Sequence, residues 1–423
     1  VVQPLPFIDQ AAQFMTEADI VRATAPFWQR PLAQVAAVAL LAAVLVLGLD
    51  AVTNSLDISR YAWDFIHYID MAERGVAGNP NLVAPYAYRP IPPLLAGAFA
   101  DATGRSVHLG FRFVAWAALW AELALAFALA RQFTSKFWGA LAVMLIVSVS
   151  TFNVRFYVFD PFRPDPLAFP LLLLGLIGLV RRRGSRAWDI VIVGTAVVGA
   201  GIREFTVIPA LLLAARLAAD SLKHRRSVDV AELVALLLVS AAALLAPRLL
   251  IPVGRADSYL DRIDGGLLGA LTDLPRNLNI VFALLITLLP LSTVLTPRRV
   301  RRLWTILAPL RLELILYTLL VLALALIGGS DLPRFTAYLI GLVVILLAAL
   351  IEDGLPPLQL GYALFATAIF NRPLTPVPME SVEAYQDWHI TFYQTVNAYT
   401  LARMGEWLLW VLGAVGLRWA LKR

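Results

Sequence analysis

The sequence contains no cysteine. That absence excludes disulfides, zinc–thiolate centres and thiol nucleophiles. Charge is also scarce. Only 15% of the 423 residues are Asp, Glu, Lys or Arg, against roughly 25% in an average soluble domain. No basic stretch is long or interleaved with aromatics, which argues against nucleic acid as a partner despite a formal net charge of +6. There is no low-complexity linker, no separate soluble segment and no internal repeat, so the inverted-repeat signature of many transporters is not evident.

What is present is apolar surface. The hydrophobic fraction is 60% and the mean hydropathy +0.75. A soluble core does not hide that much, so the solvent is lipid. In lipid every backbone polar group needs an internal partner, which leaves helices or a closed barrel. The runs are long, rich in Leu, Ala and Val, and continuous rather than alternating, so helices are expected.

The sequence predicts an all-α, polytopic transmembrane protein of about twelve spans. They fall near 32–52, 108–130, 137–151, 167–180, 188–201, 205–222, 230–251, 278–295, 310–327, 335–351, 355–370 and 401–421. The short runs near 137–151, 188–201 and 355–370 are also compatible with membrane re-entry. Residues 1–30 lack a signal-peptide pattern and read as a cytoplasmic or interfacial segment. Residues 31–423 read as one transmembrane domain, with a first outer loop at 53–107 and a last one at 371–398. Arg and Lys cluster at every second connection, so the positive-inside rule puts both termini in the cytoplasm, in an inner-membrane type of setting.

The long loops fall on the non-cytoplasmic face. The first holds Trp63-Asp64-Phe65-Ile66-His67-Tyr68-Ile69-Asp70-Met71-Ala72-Glu73-Arg74-Gly75. Its apolar spacing suits a short amphipathic helix that stops at Gly75. On that helix Asp64, His67, Tyr68 and Met71 share a face, and Asp70 points elsewhere. Pro85-Tyr86-Ala87-Tyr88-Arg89-Pro90-Ile91-Pro92-Pro93 then leads into a short apolar helix near 94–101, too short to span. The last outer loop carries Glu380, Glu383, Asp387, His389 and Tyr393, and has no recognisable motif.

These two segments resemble the first outer loop of GT-C superfamily glycosyltransferases, in particular the bacterial polyprenyl-phosphate-sugar-dependent, mannosyltransferase-like group. The motif covers only Asp64 to Leu95; the remainder is a similarity of layout. The resemblance implies a sugar donor carried on a polyprenyl phosphate and transfer at the outer membrane face, usually with inversion. It also implies a general base at a carboxylate just after the first span, where Asp64 stands. A sugar hydroxyl is a poor nucleophile until a base takes its proton. A lipid phosphate leaving group needs cations. The resemblance also places a basic residue near Arg203 and another late in the chain against that phosphate. Where many relatives have Lys, this chain has Arg203-Glu204.

The candidate site is therefore Asp64 and Asp165 as carboxylates, with Arg89, Arg163, Arg203, Arg334, His67 and Tyr68 as substrate- or phosphate-binding groups. Each has a plainer reading beside it. Asp64 or Asp165 serves equally as a helix cap. Arg203 and Glu204 make a structural salt bridge, and Arg334 a snorkelling anchor. No cofactor is implied. A divalent ion on Asp64, His67 and Asp165 is compatible, but no tight ligand spacing supports it. The partners implied are the lipid-linked sugar and membrane lipids. A lipid or polysaccharide transporter or flippase is the alternative, and a non-catalytic subunit of a membrane complex the third reading. A transporter places ionisable groups in mid-span. Here Glu122 is the clearest such residue.

Overall fold

Leu and Ala runs lose little by coiling, and a helix satisfies its own backbone in lipid. The computed structural model describes residues 31–58, 64–150, 154–182, 185–224, 228–253, 272–327, 332–379, 381, 384 and 396–422. Among the described residues every regular element is a helix. The expected N-terminal interfacial segment, Trp63, and the acidic and aromatic residues named in the last outer loop lie outside them.

The first apolar run is α1 (Pro31–Val52). The polar insert carries α2 (Phe65–Arg74), a single turn at Tyr86–Tyr88, and α3 (Ile91–Thr103). Then follow α4 (Val107–Ala130), α5 (Phe137–Ser148), α6 (Val154–Phe159) and α7 (Asp165–Arg181). A hairpin of α8 (Trp188–Ala200) and α9 (Ile208–His224) precedes α10 (Val228–Leu250). The second half comprises α11 (Leu274–Thr287), α12 (Leu289–Val294), α13 (Pro297–Ile306) and α14 (Arg311–Ile327). It closes with α15 (Leu332–Thr336), α16 (Ile340–Glu352), α17 (Pro357–Asn371) and α18 (Ala398–Ala420).

Among the described residues, six segments are long and apolar enough to cross a membrane: Ala33–Val52, Val107–Ala130, Glu204–Lys223, Val230–Leu250, Ala308–Leu326 and Leu332–Glu352. Phe137–Ser148, Trp188–Ala200 and Asn277–Thr287 are apolar but shorter. A helix of 12 residues such as α5 is about 18 Å long, well under a hydrocarbon core of about 30 Å.

Three local differences from the sequence reading have physical causes. The run at 278–295 is two helices, broken at Leu288 beside Pro290, whose missing N–H interrupts the ladder. The polar stretch at 152–166 contains α6, whose six residues are all buried. The basic run after α12 is itself a helix, α13, capped by the Thr296 hydroxyl accepting from the Arg299 N–H.

The main core joins the inner faces of α1, α4, α5, α7, α8, α9 and α16. A second cluster fastens the polar insert onto the bundle end, with Phe65, Tyr68 and Met71 of α2 packed among Ala96, Phe111, Phe159 and Phe162. Two glycines make that docking tight. A Cβ on Gly97 would lie 2.4 Å from the Ala72 carbonyl oxygen, and one on Gly110 2.2 Å from that of Ala96. Backbone therefore meets backbone where α2 crosses α3 and where α3 crosses α4.

The bundle has two polar ends of different character. At one, Arg112 holds Asp50 through Nη2 and Nε, at 2.6 and 3.2 Å. The polar insert lies on that end. At the other, Glu352 accepts from Thr134 and Ser135, and Lys136 donates to the Ile351 carbonyl. Arg181, Arg182, Arg302 and Arg418 gather there too.

Candidate functional site

Three short pieces of chain converge on the first polar end. The end of α6 and the Pro164 turn carry Asp160, Arg163 and Asp165. The extended residue Arg203 opens the α8–α9 turn, where its carbonyl accepts from the Thr206 N–H and hydroxyl. The start of α15 carries Arg334. The polar insert supplies Asp64, Tyr68, Tyr86 and Arg89. It is tied down by backbone bonds from the Leu56 N–H to the Phe159 carbonyl (3.0 Å) and from Ile91 to Gly201 (3.3 Å).

Asp64 precedes α2 but makes no side-chain cap bond. Its carboxylate instead accepts from the Tyr86 hydroxyl at 2.8 Å and from Arg163 Nη1 at 2.9 Å. The side chain is 37% exposed. A carboxylate has about four lone-pair sites, and these two donors leave acceptor capacity for a further group. Burial pushes the Asp64 carboxyl upward. Arg163, then Arg334, the Tyr86 hydrogen bond and Arg89 outweigh it and hold the group below the ordinary Asp value.

Asp165 is in a different state. It is 0% exposed. It accepts from Arg203 Nε at 3.0 Å and from the Tyr338 hydroxyl at 2.8 Å, with Arg334 Nε at 3.9 Å. It is the first residue of α7, after Pro164 at the capping position. Its carboxylate is the counter-ion of those cations.

Arg89 links the two halves. Its Nη1 donates to the Tyr68 hydroxyl at 3.3 Å, and its Nη2 lies 3.7 Å from Glu204. Glu204 also pairs with Arg248 at 3.2 Å, and the Arg248 guanidinium covers the Tyr88 ring. Among the described residues, the five guanidinium groups of Arg89, Arg163, Arg203, Arg248 and Arg334 meet the four carboxylates of Asp64, Asp160, Asp165 and Glu204. An aromatic stack backs the cluster. Phe205 lies 3.9 Å from the Tyr338 ring, 9° from parallel, and Phe335 lies under both Arg203 and Arg334.

All eight sequence candidates lie at this end, but not in one role. His67 stacks on Tyr86 at 4.6 Å and does not join Asp64 and Asp165. Burial lowers its pKa, opposed by Asp64 and Asp70. Among the described residues no group of three or more His, Asp or Glu is placed to hold a metal ion. Asp70 is tied to Asn79, Asn81 and Arg74 within the insert. Arg155, a cation on the same face, donates to the Asn371 and Thr375 carbonyls and so anchors the last loop.

The sequence reading assigned no role to Asp160, Arg248 or Tyr338. Tyr338 sits in an apolar run and reads as a hydrophobe, yet a buried tyrosine hydroxyl needs a partner. That need was the available signal.

Compared with protein-family models, curated proteins and solved structures, the chain matches none.

Proposed function

We propose that the chain is a membrane glycosyltransferase that moves a sugar from a polyprenyl phosphate to an acceptor at the outer face of the cytoplasmic membrane. The observation that carries the reading is a partly exposed carboxylate, Asp64, set directly beside a cluster of guanidinium groups at one polar end of an apolar helix bundle. Such a transfer needs both. Asp64 takes the proton of the acceptor hydroxyl as its oxygen attacks the sugar carbon. The bond from that carbon to the phosphate oxygen breaks, and the lipid phosphate leaves with the electron pair. Arg89, Arg203 and Arg334 receive that charge.

Asp165 keeps the cations in place rather than reacting. In this reading the end bearing Asp64 is the outer one. The end bearing Arg181, Arg182 and Arg302 faces the cytoplasm with both termini, and about twelve apolar helices cross or re-enter the bilayer.

The test is mass spectrometry of lipids copurifying with the detergent-solubilised protein, wild type beside Arg89→Gln and Arg334→Gln. A polyprenyl phosphate or its sugar conjugate, retained by wild type and lost from both variants, supports the reading. Bulk phospholipid alone, equal in all three, removes it. A flippase or transporter is the second reading. It rests on Glu122, 0% exposed within α4, because a buried mid-helix carboxylate suits a path across the bilayer. Glu122→Gln separates the two: it abolishes lipid translocation if that reading holds, and leaves sugar transfer standing if the first does.

A further inference from the structure

The opposite end of the molecule carries a surface that the proposed chemistry does not use. Helix α13 is too short and too charged to span, and it lies at the bundle end where Arg302 pairs with Asp353 just past α16. Its pattern is sharply two-sided. Val300, Leu303, Trp304 and Leu307 recur at helical spacing and form one stripe. Leu303 and Leu307 are buried in the main core, 5% exposed each. Val300 and Trp304 continue the same stripe outward and are 50% and 51% exposed.

The other side is cationic. Arg298 and Arg301 are exposed, and among the described residues neither has a carboxylate partner. Arg311 places its guanidinium over the Trp304 ring, 4.8 Å from its centre, and donates to the Trp304 carbonyl. The exposed indole is thus bracketed by positive charge. A tryptophan at a polar–apolar boundary with arginines around it matches the zone where acyl chains give way to headgroups.

We propose that α13 lies in the plane of the bilayer surface and binds anionic phospholipid headgroups. Val300 and Trp304 enter the acyl boundary, and Arg298 and Arg301 engage the phosphates. The charge complementarity selects this occupant: a zwitterionic headgroup offsets each phosphate with its own cation, whereas an anionic one leaves its charge for the arginines. The surface is independent of the Asp64 site, so it stands or falls separately from the transferase reading.

The experiment uses the full chain in lipid nanodiscs of phosphatidylcholine, or of phosphatidylcholine with one quarter phosphatidylglycerol. One lipid at a time carries brominated acyl chains. The chain has 11 tryptophans, so the Trp304 signal is taken as wild type minus Trp304→Phe. Brominated phosphatidylglycerol should quench that signal several-fold more than its share of the lipid predicts. High salt should erase the preference, because it screens exposed charge. Arg298→Gln with Arg301→Gln should erase it at low salt, while Arg298→Lys with Arg301→Lys should keep it.

Quenching by each brominated lipid in proportion to its share, indifferent to salt and to the arginines, would mean that the charges select nothing. Quenching by neither would mean that α13 is held away from the lipid or covered by another protein. Either result overturns the proposal.

Discussion

Arg163 donates from Nη1 to Asp64 at 2.9 Å while its Nε holds Asp160 at 2.7 Å. One guanidinium thus joins the polar insert to the end of α6, and Asp160 is 1% exposed where Asp64 is 37% exposed. The partly open carboxylate is positioned by a buried one. That asymmetry makes Asp64 the more accessible of the two.

Asp64→Asn should remove sugar transfer and little else. The amide keeps an oxygen for Arg163 and offers its N–H2 to the Tyr86 hydroxyl, so both neighbours remain bonded. Loss of a general base typically costs about 10²- to 10⁴-fold in rate. Transfer measured with a lipid-linked sugar should fall by that order, with only a small drop in thermal unfolding temperature in detergent, from the lost charge beside Arg163, and unchanged retention of the lipid phosphate. Transfer at the wild-type rate would remove Asp64 from the chemistry.

The acid limb of activity should move when Tyr86 loses its hydroxyl. Burial raises the Asp64 carboxyl, and Arg163, Arg334, the Tyr86 bond and Arg89 together bring it below the ordinary Asp value. A base works only when ionised, so wild-type activity should persist until the pH falls beneath the usual Asp range. Tyr86→Phe deletes one lowering contribution, so the limb should shift to higher pH while the rate on the plateau changes less. The stability linked to this group follows the same sign. It is fully present above the unfolded-state pKa and is lost as pH falls through the depressed folded value. A pH–rate profile of the two proteins checks it, and a limb that stays put would assign the titration to another group.

The helical class and the cations were legible because lipid makes polarity expensive. In a chain this apolar, Arg89, Arg163, Arg203 and Arg334 stand out one by one, and they converge at one end of the bundle. The partner of each cation was not legible. Tyr338 bonds Asp165 across 173 positions of sequence, and a local pattern carries no information at that range. Hydropathy also averages over breaks, so the run that became α11–α12 read as continuous despite Pro290. The run Arg298–Arg302 read as a loop because charge dominated its composition, although the spacing of Val300, Leu303, Trp304 and Leu307 was already helical.

Gly110→Ala should loosen the insert from the bundle. The added carbon would meet the Ala96 carbonyl oxygen at 2.2 Å, and backbone does not rotate away as a flexible side chain does. Overpacking of this kind costs about 1–3 kcal/mol. Because α3 must shift, the insert that carries Asp64 and Arg89 shifts with it. Hydrogen exchange should rise in residues 64–103 more than in α16. Gly361, inside α17 with nothing within 4 Å of an added Cβ, is the control, and Gly361→Ala should be neutral or slightly stabilising.

Asp165 and Arg203 should respond unequally to neutralisation. The pair is almost wholly enclosed, at 0% and 2% exposure. Breaking a buried pair from one side typically costs about 3–5 kcal/mol, because it leaves the other charge without its counter-charge. Arg203→Gln leaves Asp165 with the Tyr338 hydroxyl at 2.8 Å and Arg334 at 3.9 Å. Asp165→Asn takes the counter-charge from Arg203 and Arg334 together, so it should be the more damaging. Tyr338→Phe, which deletes one bond to a charged acceptor, should cost about 1.5–3 kcal/mol. Thermal unfolding of the three single variants and the Asp165→Asn/Arg203→Gln double variant orders them. The double variant should recover part of the Asp165→Asn loss, with a coupling of about 0.5–3 kcal/mol as expected for groups in contact. Simple additivity would show that Asp165 is not the counter-ion that holds this cation in place.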